Sequence, residues 1–234
     1  MKAKKLKNLT KKLRSELTWA TLERTHEAPG IRIFSDTKTQ AHTIMLPASQ
    51  EHPVPEMDYL HELGHALLCE RVHPVFANNF YLGGKPSKEQ FMALAPALNV
   101  AADWFIGAWL LDVCAESARE QIEQNLETAE KLLEKQQSPT PDVFLGAALM
   151  IAQAIKHLDE PIDCGGVLKQ AVNAYLAVPP DKPSASRYEE LVNHLLAIYS
   201  PYRTKIVHDG EYDVWEISEE QAVESAAAPA GAPS

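Results

Sequence analysis

Two histidines four residues apart constrain this chain more than any other feature. They stand in the segment His61-Glu62-Leu63-Gly64-His65, whose neighbouring residues are largely apolar. A spacing of four places both imidazoles on one face of a helix, so both can reach one ion. The predicted helix begins near Glu56 and ends at about Arg71, because His73-Pro74 follows and the residue before a proline disfavours helical backbone. The apolar surroundings indicate that this helix is buried.

The pattern H-E-x-x-H is typical of a catalytic zinc site. Zinc accepts imidazole nitrogens and tetrahedral geometry with one open position for water. Glu62 stands beside His61, where it can take a proton from that water, and the metal lowers the pKa of the water to about 7. We therefore predict His61 and His65 as zinc ligands and Glu62 as the catalytic base. The alternative is a buried helix whose histidines are hydrogen-bonded core residues.

A third ligand is expected from the next predicted helix, which runs from Lys88 to about Cys114. Asn99 and Asp103 share one face of this apolar helix, and a buried carboxylate requires a partner that a metal ion would supply. A salt bridge or helix cap is the alternative role for Asp103. Glu70 is the alternative ligand, although its place at a helix end favours solvation.

Two further residues are weaker candidates for substrate binding or support of the ligands. Asn99 is predicted to orient a ligand or bind substrate, against a purely structural role. His73 could reach back as a proton donor or substrate contact, although its place after the helix favours a simple interaction with the helix dipole. Gly64 costs about 1 kcal/mol of helix propensity relative to alanine, which indicates that a neighbouring backbone or the substrate comes close to it.

These residues resemble the core of the zincin metallopeptidases. HELGH after two short strands is similar to the phage- or prophage-type metallopeptidases and, more distantly, to the ImmA/IrrE-type proteins. In the phage-type sequences a second helix carries N-x-A-x-D, which Asn99-Val100-Ala101-Ala102-Asp103 matches. The resemblance covers about residues 30–113 and implies that Asp103 is the third zinc ligand. It departs from the ImmA/IrrE pattern, whose third ligand is a glutamate, because no glutamate stands at 91–115.

The expected fold class is α+β and mostly helical. Its minimal zincin core would consist of a short antiparallel sheet, the HExxH helix and the second ligand-bearing helix. Two strands are predicted, Ile31–Phe34 and His42–Leu46, the second as an edge strand that aligns extended substrate. The predicted organisation is a basic N-terminal helix (1–17), a zincin-like catalytic domain (18–137), a helical C-terminal region with a hairpin at Asp209-Gly210 (141–217) and a disordered tail (218–234).

Inside these regions the helix from Lys88 is expected to be interrupted near Pro96. A polar, exposed helix should then follow over 115–137. Proline and glycine clusters separate three further predicted helices, the last of which Ser184 or Ser186 can cap.

Charge and cysteine content limit the partners and the compartment. The net charge of −10 argues against nonspecific nucleic-acid binding by the body of the protein. Residues 1–14 are basic, however, and either pack a leucine stripe on the body or contact nucleic acid, an anionic membrane or a partner. Three cysteines make a disulfide framework unexpected. No signal peptide or membrane span of about 20 apolar residues is recognised, and a cytoplasmic protein is predicted.

Two functions follow from these features. The first is hydrolysis of peptide bonds in a protein or peptide substrate by a zinc-activated water. The alternative is a zinc-containing regulatory or interaction protein without significant peptidase activity, such as a phage or plasmid factor that contacts nucleic acid through its basic N-terminus. A structural zinc site requires no catalytic base, so the presence of Glu62 beside His61 favours the first function.

Overall fold

The computed structural model describes residues 2–48, 54–77, 79–135, 139–210 and 212–219. In these ranges the fold is α+β and mostly helical, which confirms the predicted class. The helices are α1 (Lys2–Arg14), α2 (Glu56–Arg71), α3 (Lys88–Lys135), α4 (Pro141–Leu158), α5 (Gly166–Ala177) and α6 (Ala185–Tyr199). The strands are β1 (Ala20–His26), β2 (Arg32–Asp36), β3 (Ala41–Pro47), β4 (Tyr202–Asp209) and β5 (Tyr212–Glu219).

The N-terminal sheet has three strands in the order β1-β3-β2. β2 and β3 are the two predicted strands, and they pair antiparallel with Ile33 opposite Ile44. β1 was not predicted, and it pairs parallel to β3, so the sheet is mixed rather than purely antiparallel. The prediction that β3 is an edge strand is wrong, because β3 is paired on both sides. The strand that borders the predicted zinc-binding helix is β2.

α2 has the predicted bounds. The long element α3 comprises two helices that meet at a kink, where the backbone leaves helical angles at Cys114 (φ −150°, ψ 53°), and this confirms the boundary predicted there. Pro96 lies inside α3 without such a departure, and the interruption expected there does not occur. One stretch of this helix is long and apolar enough to cross a membrane, but 67% of it is buried within the protein, as in a core helix.

The core lies where α3 packs against α2, α4 and α6. Two buried hydrogen bonds fix the C-terminal helices to α3. The Trp104 indole donates to the carbonyl of Val178 at 2.7 Å, and the Tyr188 hydroxyl donates to the carbonyl of Leu98 at 2.9 Å. The second half of α3 is less exposed than predicted, because Ile122 on its inner face is buried.

The two ends of the chain follow the predicted elements closely. In α1 the leucines pack on the body and Leu13 is buried, while most of the lysines are exposed. The predicted C-terminal hairpin is confirmed, with Gly210 in its turn at φ +70°. Ser184 caps α6 by accepting a hydrogen bond from the backbone of Arg187. Ser218 and Glu219, predicted to belong to the disordered tail, are part of β5, and residues 220–234 lie outside the described ranges.

Candidate metal centre

Close packing of α2 on α3 brings the candidate ligands together. A Cβ atom on Gly64 would lie 2.9 Å from Cγ2 of Ile106 and 3.1 Å from the ring of Trp109. Only glycine therefore fits at this crossing without a shift of its neighbours. The close approach expected at Gly64 is present, but the neighbours are side chains of α3 rather than a backbone or substrate. The same crossing places Asp103 beside the histidines of α2.

His61, His65 and Asp103 form one cluster. The Nε2 atoms of His61 and His65 each lie 3.2 Å from the same carboxylate oxygen, Oδ1 of Asp103. The potential ligand atoms of the three residues all lie within 4.8 Å of one another. Two imidazole nitrogens and a carboxylate oxygen are a donor set that zinc accepts, with a fourth position left for water. The structure thus joins the two motif histidines to the residue predicted as their partner.

The surroundings of His65 orient its ring toward the cluster. The side chain is only 7% exposed, and its Nδ1 lies 3.4 Å from the carbonyl oxygen of Phe76, in a 3₁₀ turn over Pro74–Phe76. Nδ1 can donate a proton to that carbonyl, and Nε2 faces Asp103, where it would be available as a ligand to a metal ion. This is the usual outer support of a metal-binding histidine.

The charges of the cluster stabilise one another. Burial favours the neutral form of Asp103, but the charges and hydrogen bonds of His61 and His65 outweigh it and hold the pKa of this carboxyl well below its usual range. Burial also disfavours charged His61, yet the carboxylate of Asp103 prevails and raises the pKa of this imidazole. Without a metal, the site therefore favours an ion pair that a divalent cation can replace.

Glu62 lies at the same site and is held by the sheet. Its Oε2 accepts a hydrogen bond of 2.7 Å from the backbone N–H of Ile33. This N–H belongs to β2, the edge strand that borders α2. The bond fixes the carboxylate beside the cluster, in the cavity that the clustered residues also line.

A cavity of about 260 Å³ opens in front of the cluster. All three clustered residues and Glu62 line it, together with Asn99, Phe80 and Tyr188. Asn99 therefore lies where a substrate contact is expected. Tyr188 was not predicted, because α6 follows α3 at a distance in sequence and nothing in its spacing marks the residue.

The structure separates His73 from this group. Its Nδ1 accepts a hydrogen bond from the backbone of Val75, and its Nε2 lies 3.5 Å from Oδ2 of Asp213. These contacts give the side chain a local role at the start of the 3₁₀ turn.

Glu70 is not the third member of the cluster, and it is not solvated. Its side chain is 4% exposed and lies 2.8 Å from Nε2 of the fully buried His42. Its carboxylate also accepts hydrogen bonds from the backbone N–H groups of Thr18 and Trp19. Thr18 and Trp19 come directly before β1, a strand absent from the prediction, and together with His42 of β3 they cover Glu70.

Comparison of the chain with protein-family models, curated proteins and solved structures gives no match.

Proposed function

We propose that this protein is a zinc-dependent peptidase that cleaves peptide bonds in the cavity bordered by α2, α3 and α6. The observation that carries the proposal is the convergence of His61 and His65 on one oxygen of Asp103, with the Glu62 carboxylate in the same cavity. The donor set and the outer support of His65 by a carbonyl both fit a zinc ion.

The roles of the residues follow from their positions. His61, His65 and Asp103 would hold the ion, which when bound supplies a Lewis acid for the scissile carbonyl and lowers the pKa of water. Glu62, whose Oε2 accepts the N–H of Ile33, would take a proton from the attacking water. It then returns the proton to the departing amine. Asn99 supplies amide groups that can bind the peptide backbone of the substrate.

A zinc-containing regulatory protein is the alternative, and the position of Glu62 favours the peptidase. A site that serves only structure needs a fourth protein ligand in place of an open position. Glu62 is not part of the cluster that could hold the ion, and it lines the same cavity as that cluster.

The test compares the wild type with Glu62→Gln, using zinc content by plasma mass spectrometry and cleavage of a quenched fluorescent peptide library. Both proteins should bind about one zinc, whereas the variant should lose a factor of about 10² to 10⁴ in cleavage rate, the usual contribution of a general base. Glu123→Gln, on the exposed face of α3, is the matched control and should retain activity. Equal cleavage by Glu62→Gln and wild type would exclude the proposed mechanism.

A further inference from the structure

A second and smaller cavity adjoins the same cluster. Its volume is about 130 Å³, and His61 and Asp103 form part of its wall as they do for the larger cavity. The remaining wall comes from α4 and from both halves of α3. Because α3 bends at Cys114, residues before the bend such as Gly107 and residues after it such as Asn125 face one space.

The wall of this cavity is uncharged apart from the two clustered residues. Among the described residues that line it, the apolar side chains include Leu110, Ile122 and Leu149. The polar ones include the carboxamides of Asn125 and Gln153. A charged group entering this space would lose its hydration without meeting a counter-charge on α4 or the second half of α3, which is costly. The cavity therefore fits a neutral group.

One of the carboxamides is built into the wall. Gln153 is only 7% exposed, and its Nε2 donates to the backbone carbonyl of Asp103 at 3.3 Å. That bond sets the orientation of the amide and leaves its oxygen available as an acceptor. Gly107 leaves room for this arrangement, since a Cβ atom there would collide with Nε2 of Gln153.

The volume limits the size of the occupant. A cavity of about 150 Å³ holds one benzene molecule, so about 130 Å³ admits a single side chain of roughly that size. Leucine, methionine and glutamine are of this size, whereas tryptophan exceeds it.

We infer that this cavity binds the uncharged, medium-sized side chain of the substrate residue next to the scissile bond. The inference rests on the proposed function, because the cavity borders the metal ligands and the larger cavity contains Glu62. Asn125 and Gln153 would be specificity-determining residues. Their amides could hydrogen-bond to a polar side chain of the substrate, and the apolar residues beside them could contact an aliphatic side chain.

The test uses amino-acid hydroxamates, which bind a protein-held zinc ion through the hydroxamate and carry one side chain. Binding to zinc-loaded protein is measured by calorimetry for the leucine, methionine, glutamine, lysine and glutamate compounds. The first three should bind at least about tenfold more tightly than the last two, since desolvation of an unpaired charge costs more than 1.4 kcal/mol. Metal-free protein should bind none of them.

A charge introduced into the wall should change this order. Asn125→Asp adds a carboxylate at nearly constant volume, and the lysine compound should gain about tenfold in affinity while the glutamate compound weakens further. Gln124→Glu makes an equivalent charge change one residue away on the exposed face of α3, and it should leave the order unchanged. A second variant, Met150→Ala, enlarges the same cavity without adding a buried charge. It should improve the binding of phenylalanine hydroxamate, a sixth compound with a larger side chain.

The outcomes separate the two proposals. Side-chain-dependent binding, together with the gain of the lysine compound in Asn125→Asp, supports the cavity even if no peptide is cleaved, in which case the peptidase proposal alone fails. Equal affinity for all side chains overturns the assignment of the cavity even if cleavage depends on Glu62. A lysine gain of equal size in Gln124→Glu also overturns it, because the effect would then come from net charge.

Discussion

Asp103 determines how the cluster responds to pH. Its carboxylate contacts the imidazoles of both His61 and His65. The charge of this carboxylate raises the pKa of His61. Because zinc binds the neutral imidazole, the ion must displace a proton from His61 at a pH where an ordinary histidine has already lost it. Competition between zinc and protons should therefore extend above pH 6.5, the ordinary pKa of a histidine.

The first prediction concerns zinc affinity as a function of pH. Affinity should fall as pH is lowered from 8.5 to 5.5, and the decline should begin above about pH 6.5. Competition with a chelator of known affinity measures it. Asp103→Asn should bind zinc less tightly and shift the start of the decline to lower pH. A zinc affinity that stays constant between pH 8.5 and 6.5 would contradict the coupling of His61 to Asp103.

The same coupling affects the stability of metal-free protein. The pKa of His61 is raised, so its contribution is complete below the unfolded-state pKa of about 6.5 and is lost as pH rises through the folded-state pKa. The pKa of Asp103 is lowered, so its contribution is present above the unfolded-state value of about 3.8 and is lost as pH falls through the folded-state value. The pair accordingly favours the folded state most strongly between about pH 3.8 and pH 6.5, the two unfolded-state pKa values.

Sequence spacing could predict some residues of the site and not others. His61 and His65 share one helix face, and Glu62 stands beside His61, so their relation is local. Asp103 is distant in sequence, and spacing alone left its role open between ligand and salt bridge. Tyr188 lies farther still, and its place at the cavity depends on how α6 packs on α3.

At the scale of elements, a buried polar network joins α2 to the sheet. Nδ1 of His42 lies 2.9 Å from the Ser35 hydroxyl, and its Nε2 contacts Glu70. Burial tends to raise the pKa of Glu70, but the hydrogen bonds from Trp19, Thr18 and His42 outweigh it and lower this pKa. The network fixes α2 relative to β2, β3 and the residues directly before β1, and thereby the position of Glu62 against β2.

The second prediction is that Glu70→Gln destabilises the protein by about 2 to 4 kcal/mol, because an amide nitrogen would face backbone N–H donors and a buried pair would be broken. Urea denaturation followed by tryptophan fluorescence measures the free energy of unfolding. Glu16→Gln removes an exposed partner of Arg71 and should change it little. A Glu70→Gln variant as stable as Glu16→Gln would show that the network does not hold α2 in place.

The elements themselves were predictable where local signals are strong. Pro74 after His73 indicated the end of α2, and Asp209-Gly210 indicated the hairpin. β1 was missed because its sequence ATLERTH is charged and mostly exposed, and its partner is the non-adjacent strand β3. That pairing in turn made β3 central, which no pattern within β3 itself indicates.

At the scale of the whole molecule, one hydrophobic cluster includes residues of α2, α3, α4, α5 and α6. The indole of Trp104 bonds to Val178 and the hydroxyl of Tyr188 bonds to Leu98, so the predicted catalytic and C-terminal regions share contacts. Tyr188 also lines the larger cavity, so the packing of α6 on α3 shapes the wall of that cavity.

The third prediction is that the protein unfolds in one cooperative thermal transition, because a shared core couples its parts. Far-ultraviolet circular dichroism and tryptophan fluorescence should give the same midpoint. Zinc at a hundredfold excess over its Kd should raise that midpoint for both probes, corresponding to about 2.7 kcal/mol of added stability. Separate transitions, or a zinc shift seen by only one probe, would indicate that the C-terminal helices fold independently of the site.

Zinc-edge X-ray absorption of the zinc-loaded wild-type protein can identify the metal ligands directly. If His61, His65 and Asp103 hold the ion as proposed, the spectrum should show two imidazole nitrogens at about 2.0 to 2.1 Å and oxygen ligands for the rest of the shell, with no sulfur. Asp103→Ala should change the oxygen shell and leave both imidazole contributions in place. A shell that contains sulfur at about 2.3 Å, or fewer than two imidazoles, would contradict the assignment.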